Sequence, residues 1–280
     1  MRVGIIGTGS IGSMLGGLFA SVPRLTVRVY NRSPEKALEL SRHWDQIELS
    51  GSEAEVMRTC HVIFLCTKAA DGRKVLDEFG PSLTPSQILA TTISSIPMHE
   101  LESATPALVV KVIPSITQLN KAGVCLISHG TRFDVRQATM FRELIENIGT
   151  PFDVEESQIR VASDLTSCGP AFLSNFLLRW AAAAAETGHL KAGQAKHLLC
   201  QMMMGVATLL ENDMTLEEIL ARVAVPGGVT EAGLVATSMD ADALFRHLHE
   251  ATLAHVRPSE CSIGGDTQRA DSYESSTQWS

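Results

Sequence analysis

Gly7, Gly9 and Gly12 stand at G-x-G-x-x-G spacing in the opening segment MRVGIIGTGSIG. That spacing suits a nucleotide pyrophosphate. The first glycine permits a tight strand-to-helix turn, the second lets phosphate oxygens reach bare backbone, and the third lets the helix pack closely on the strand. Thr8, Ser10 and Ile11 complete the turn, and the free N–H groups at the helix start would hold the anion with the help of the helix dipole. The pattern has this meaning only between a strand and a helix. Val3, Ile5 and Ile6 are β-branched and apolar, a helix-like run over 13–20 follows, and a second strand pattern covers 25–30.

The residues closing that second strand choose the cofactor. An acid there holds a ribose 2′-hydroxyl and selects NAD, whereas a neutral residue followed by arginine accommodates a 2′-phosphate. Asn31, Arg32 and Ser33 can each meet a phosphate, so NADP (NADPH) is preferred over NAD; a solvated surface arginine is the plainer reading of Arg32. Thr67 and Lys68, and the loop 113–117, follow later strand patterns and face the same sheet edge, where ligands collect. Lys68 reads either as a cofactor contact or as a surface lysine. Ser115 reads either as a donor to the nicotinamide end or as a capping serine.

Toward the other end, Pro226, Gly227, Gly228, Val229 and Thr230 open a helix pattern. Consecutive glycines at a helix start offer a row of free N–H groups, an anion site suited to a small carboxylate. A simple loop capped by Thr230 is the alternative. A second Gly-Pro break, 164–172, contains Cys168, which reads as a small buried thiol rather than a nucleophile because no base partner stands near it. The nine histidines show no metal-ligand spacing.

These groups need a frame. Strand patterns at 62–66, 88–93, 107–112 and 123–127 alternate with helix patterns at 34–43 and 134–148, which predicts an α/β fold with a doubly wound parallel sheet over 1–156. Strand patterns then stop. Helices are expected at 157–162, 171–187, 192–211, 215–223, 230–237 and 240–255, an all-α domain over 157–256 for substrate and dimerisation. Its alanine run 181–185 and methionine run 202–204 suit close helix packing, in a second-subunit interface or an ordinary bundle core. The hydrophilic segment 257–280 is expected to be disordered.

Composition bounds the class. The 280 residues are 45% hydrophobic and 19% charged, as in a soluble globular protein. A formal net charge of -8 and the lack of a basic run argue against nucleic acid. Apolar stretches fall short of the ~20 residues that span a membrane, and glycines interrupt any signal-peptide core. Six scattered cysteines suit buried thiols in a reducing compartment, so a cytoplasmic location is expected.

GTGSIG, NRSPEK, LTSCGPAF and VPGGVTEAGL, in this order and spacing, resemble the pyrroline-5-carboxylate reductase family from Met1 to about Val256. The loops KVIPSIT and VAVPGG are closer still to the competence-operon (ComER) branch of those relatives. The resemblance implies that residues Gly7 to Gly12 hold the NADP pyrophosphate, that Asn31, Arg32 and Ser33 hold its 2′-phosphate, and that Thr67 and Lys68 line the path between. It implies that Pro226 to Thr230 grip the substrate carboxylate across a dimer interface, with Cys168 beside that pocket and Ser115 near the nicotinamide. Thr230 would bond the ring nitrogen. The implied chemistry is NADPH-dependent reduction of 1-pyrroline-5-carboxylate to L-proline, in a homodimer or an assembly of dimers.

Three departures bear on the substrate half. The family's M-P-N-T-P is here Ile113-Pro114-Ser115-Ile116-Thr117, its S-G-S-G-P is Thr166 to Pro170, and the serine before Pro-Gly-Gly is Val225. Losing one donor to a charged group costs ~1.5–3 kcal/mol. A cofactor-binding regulatory relative with altered or lost turnover therefore stays open, as does a bare nucleotide-fold module. A different NADP-linked reductase is the third rival. A 3-hydroxyacid dehydrogenase would need a helix-borne lysine that 170–186 lacks.

Overall fold

The computed structural model describes residues 1–256, so the expectation of disorder for the tail lies outside the described residues. The first half alternates as follows: β1 (Arg2–Ile6), α1 (Ser10–Ala20), β2 (Thr26–Tyr30), α2 (Pro34–His43), β3 (Ile47–Leu49), α3 (Glu53–Thr59), β4 (Val62–Leu65) and α4 (Ala69–Phe79). Then come β5 (Ile88–Thr91), α5 (Met98–Ala104), β6 (Leu108–Ile113), β7 (Val124–His129), α6 (Val135–Glu146) and β8 (Thr150–Asp153). One eight-stranded sheet runs in the order β3-β2-β1-β4-β5-β6-β7-β8.

The sheet is mostly parallel, not wholly so. β7 pairs antiparallel with β6, and β8 runs parallel to β7. The reason is the connection. Residues 114–123 contain only a short 3-10 helix, Ile116–Asn120, whereas a parallel return needs a crossover of a dozen residues or more.

Helices cover both faces, so strand residues alternate between two cores. Ile5, Val29 and Phe64 pack toward α1 and α6 with Phe19 and Phe141, and the Phe19 and Phe64 rings lie 5.1 Å apart. Ile6, Ile63, Leu65 and Val109 pack the other way, with Val56, Leu76 and Leu101. Burial on both faces is why β4 reads as an unbroken apolar run and why β6 is apolar but for Lys111.

Beyond β8 the chain is helical: α7 (Ile159–Thr166), α8 (Gly169–Glu186), α9 (Ala192–Glu211), α10 (Leu216–Val223) and α11 (Val229–Val256). The two helices expected at 230–237 and 240–255 are one. No glycine or proline stands at 238–240 to interrupt it, and Thr237 Oγ1 donates back to the Gly233 carbonyl at 2.9 Å, which spends its polar group inside the helix.

These helices bury little within one chain. α8 and α9 each bury a single residue, Ala181 and Ala195, and α10 buries none. Val235 and Met239 on α11 are 74% and 83% exposed. The expectation of buried cysteines needs correcting too: Cys60 and Cys125 are buried, Cys66 and Cys168 half-buried, and Cys200 exposed on α9, while Cys261 lies outside the described residues.

One polar cluster ties the last helix to the first of this half. The Asp164 carboxylate is fully buried and accepts from Arg160 Nη2 at 2.5 Å, His249 Nδ1 at 3.0 Å and Thr252 Oγ1 at 2.5 Å. Burial pushes its carboxyl up, but the bonds from Thr252, His249 and Arg160 more than offset this and hold it below the ordinary carboxylate value.

Candidate active site

The glycine turn is built as its spacing requires. Gly7 has φ +95, and a Cβ there would meet the Cys66 carbonyl oxygen at 2.7 Å; at Gly12 a Cβ would stand 1.8 Å from the Gly7 carbonyl oxygen. Only glycine lets α1 approach β1 and β4 this closely. At Gly9, the N-cap of α1, nothing lies within 4 Å of the corresponding point. Ser10 is exposed, whereas Ile11 is half-buried and packs into the core.

A cleft of about 590 Å³ opens beside this turn, and Gly7, Gly9, Asn31, Arg32, Ser33, Thr67 and Lys68 all line it. Residues far apart in sequence meet because β1, β2 and β4 are neighbours whose carboxyl ends share one edge. Among the described residues the buried hydroxyls of Thr67, in this cleft, and of Thr8, in the adjoining opening beside Gly9 and Ser10, have no hydrogen-bond partner. A buried donor left free is costly, and phosphate or ribose oxygens would satisfy both. Bare backbone, open space at Gly9 and orphaned hydroxyls fit a dinucleotide.

Asn31 is employed differently from its expected role. It accepts the Thr8 N–H at 2.9 Å and donates to the Ser33 carbonyl at 2.8 Å, so both ends of its amide brace the turn against β2. Arg32 is 82% exposed at its side chain and reaches Asp71 Oδ1 at 3.5 Å. Lys36, Glu53, Asp71 and Lys74 also line the cleft, and none of the four was expected there. They sit on the first turns of α2, α3 and α4 and midway along α4, and no pattern local to the sequence marks them.

The expected substrate groups do not join this cleft within one chain. Ser115 is buried; its hydroxyl donates to the Thr166 carbonyl at 2.9 Å and accepts from Thr117 Oγ1 at 3.0 Å, so it caps the 3-10 helix and ties it to the end of α7. Cys168 Sγ accepts from Arg160 Nη2 at 3.3 Å at the N-cap of α8. Residues 226–230 lie at the exposed start of α11, with Gly228 and Thr230 half-buried. The row of N–H groups there is shorter than expected. Gly227 N donates to Glu231 Oε2 at 2.7 Å and Gly228 N to the Val225 carbonyl at 2.9 Å. Val229, Thr230 and Glu231 keep the helix-start N–H groups that the helix itself cannot partner.

A glycine turn feeding a mostly parallel sheet, followed by a helical half, is the architecture of the Rossmann family of nicotinamide-dependent oxidoreductases. Residues 2–94 match the family described as NADP oxidoreductase coenzyme F420-dependent, and 156–260 match pyrroline-5-carboxylate reductase dimerisation. The chain belongs to the pyrroline-5-carboxylate reductase family. It is 34% identical over 267 residues to ComE operon protein 4 of Bacillus subtilis, covering 93% of this chain and 96% of that protein. It is 26% identical over 210 residues to pyrroline-5-carboxylate reductase 3 of the same organism, covering 75% and 77%. In fold it is similar to a Plasmodium falciparum pyrroline carboxylate reductase solved with NADP bound, with TM-score 0.76, 19% identity and coverage of 91% and 95%. Among the described residues no helix is long and apolar enough to cross a membrane.

Proposed function

We propose that this chain reduces a cyclic imino acid with NADPH, taking 1-pyrroline-5-carboxylate to L-proline as a cytoplasmic homodimer or an assembly of dimers. The observation that carries the reading is the cleft beside the glycine turn, lined by Gly7, Gly9 and the orphaned hydroxyl of Thr67, on a chain whose second half matches the reductase dimerisation family. A bound NADPH supplies the hydride. The N–H groups at the start of α1, with Thr8, hold the pyrophosphate, while Arg32 and Ser33 meet the 2′-phosphate and Asn31 braces the turn. Thr67 and Lys68 line the run toward the nicotinamide.

The bare apolar surface of α8 to α11 supports pairing, because exposure on this scale in a monomer is rare. Pairing through it brings residues 226–230 of one subunit to the cleft of the other. There the N–H groups of Val229 and Thr230 grip the substrate carboxylate, which displaces Glu231 from Gly227. The imine carbon takes a hydride and its nitrogen takes a proton from solvent. Thr230 is too weak an acid to supply that proton, so its hydroxyl orients the ring nitrogen. Ser115 and Cys168 position the neighbouring loop and helix start.

The purified protein tests this directly. With pyrroline-5-carboxylate added, NADPH absorbance should fall steadily while proline accumulates. A second reading, a cofactor-holding regulatory protein without turnover, is favoured by the likeness to ComE operon protein 4 and by the internal bonds of Ser115 and Gly227. It expects tight NADPH binding and no proline. Arg32→Ala should raise the Kd for NADPH about tenfold or more and leave NADH within about twofold, as measured by fluorescence titration. Equal losses would remove the 2′-phosphate contact.

A further inference from the structure

The cleft beside the glycine turn is lined by an acid as well as a base at the ends of β2 and β3. β2 and β3 pair in register from Val27↔Ile47 to Val29↔Leu49, so their carboxyl ends lie side by side. Arg32 follows the first strand and Glu53 the second, and both line the cleft. The first turn of α3 holds two carboxylates that are used differently. Glu55 is engaged by Ser50 Oγ at 2.7 Å, Gly51 N at 3.0 Å and Arg28 Nη1 at 3.0 Å. Glu53 is half-buried and, among the described residues, forms no salt bridge. Its neighbour is the Tyr30 phenol. Burial and then the Glu53 carboxylate, through its charge and a hydrogen bond, push that phenol up while Arg32 draws it down, so the acid and the base each lie within electrostatic reach of the phenol. Arg32 itself rests against a further acid, Asp71.

We propose that Glu53 is a second determinant of cofactor choice and opposes Arg32, so that it weakens the preference of the cleft for a 2′-phosphate. An acid at this edge accepts hydrogen bonds from an unphosphorylated ribose, while arginine accommodates the 2′-phosphate. This chain presents both. A 2′-phosphate gains Arg32 but meets the like charge of Glu53 and must draw the guanidinium from Asp71. A free 2′-hydroxyl meets no repulsion and finds an acceptor. The inference rests on the cofactor reading above and concerns only how that cleft ranks its two nucleotides.

Titrating NADPH and NADH separately into the full-length protein, with dihydronicotinamide fluorescence as the readout, tests it. Glu53→Gln keeps the shape of the side chain and removes its charge. It should tighten NADPH about tenfold and weaken NADH about threefold, whereas Arg32→Ala should move the ratio the other way. Glu53→Ala should repeat the gain for NADPH, and thermal melts confirm that each variant is folded. Glu53→Gln leaving the NADPH-to-NADH ratio unchanged would overturn the proposal. Wild-type protein that binds neither nucleotide would instead overturn the cofactor reading, and the proposal with it.

Discussion

Gly9→Val should leave the fold intact and raise the Kd for NADPH by more than about a hundredfold, close to 3 kcal/mol. The two halves of this expectation have separate causes. Gly9 has φ -71, a conformation open to any residue, and among the described residues a Cβ there meets no atom within 4 Å beyond its chain neighbours. The melting temperature should therefore stay within about 2 °C of wild type. What the side chain does fill is the open space against the first N–H groups of α1, where a pyrophosphate must sit. Gly12→Ala is the contrast, because its methyl group would collide with the Gly7 carbonyl and push α1 off the sheet. Calorimetry and titration on the same samples separate the two. Unchanged affinity in Gly9→Val would place the nucleotide elsewhere.

Asp164→Ala should cost about 3–5 kcal/mol of stability, the usual result of removing one partner of a buried ion pair. In a chain of this size that lowers the melting temperature by about 10 °C. The loss strands the Arg160 guanidinium, the His249 ring and the Thr252 hydroxyl together, and it releases α11 from α7. The same network predicts an acid limit. The folded carboxyl is held below its ordinary 3.8, so its contribution is complete above that value and disappears as the pH falls through the lower, folded one. Melts of wild type and Asp164→Asn should differ at neutral pH and converge in acid. A gap independent of pH would assign the stability to packing alone.

The sequence made some of this arrangement legible and concealed other parts, for physical reasons. The glycine turn is readable because its chemistry is local: three glycines, one strand and one helix lie within twenty residues. β3 and β8 escaped notice because three or four half-exposed residues carry no period, and Pro151 sits in β8, where only an edge strand tolerates it. The reversal of β7 depends on the length of a loop rather than on the composition of a strand. Glu53 and Asp71 reach the cleft only through strand order, and no spacing in the chain announces them. Asn31 and Gly227 carry the right groups, yet each spends them inside the protein, on Thr8 and Ser33 in one case and on Glu231 in the other.

The claim on which the account turns is that each catalytic cleft joins the glycine turn of one subunit to the 226–230 loop of its partner. Thr230→Ala alone should lower kcat about tenfold to a hundredfold while NADPH affinity holds. Mixed dimers of Gly9→Val and Thr230→Ala chains, isolated through two different affinity tags, make the decisive sample. Each would hold one intact pair of turn and loop, so NADPH oxidation with pyrroline-5-carboxylate should recover to about half the wild-type rate. Mixed dimers no more active than the better of the two parent proteins would contradict it.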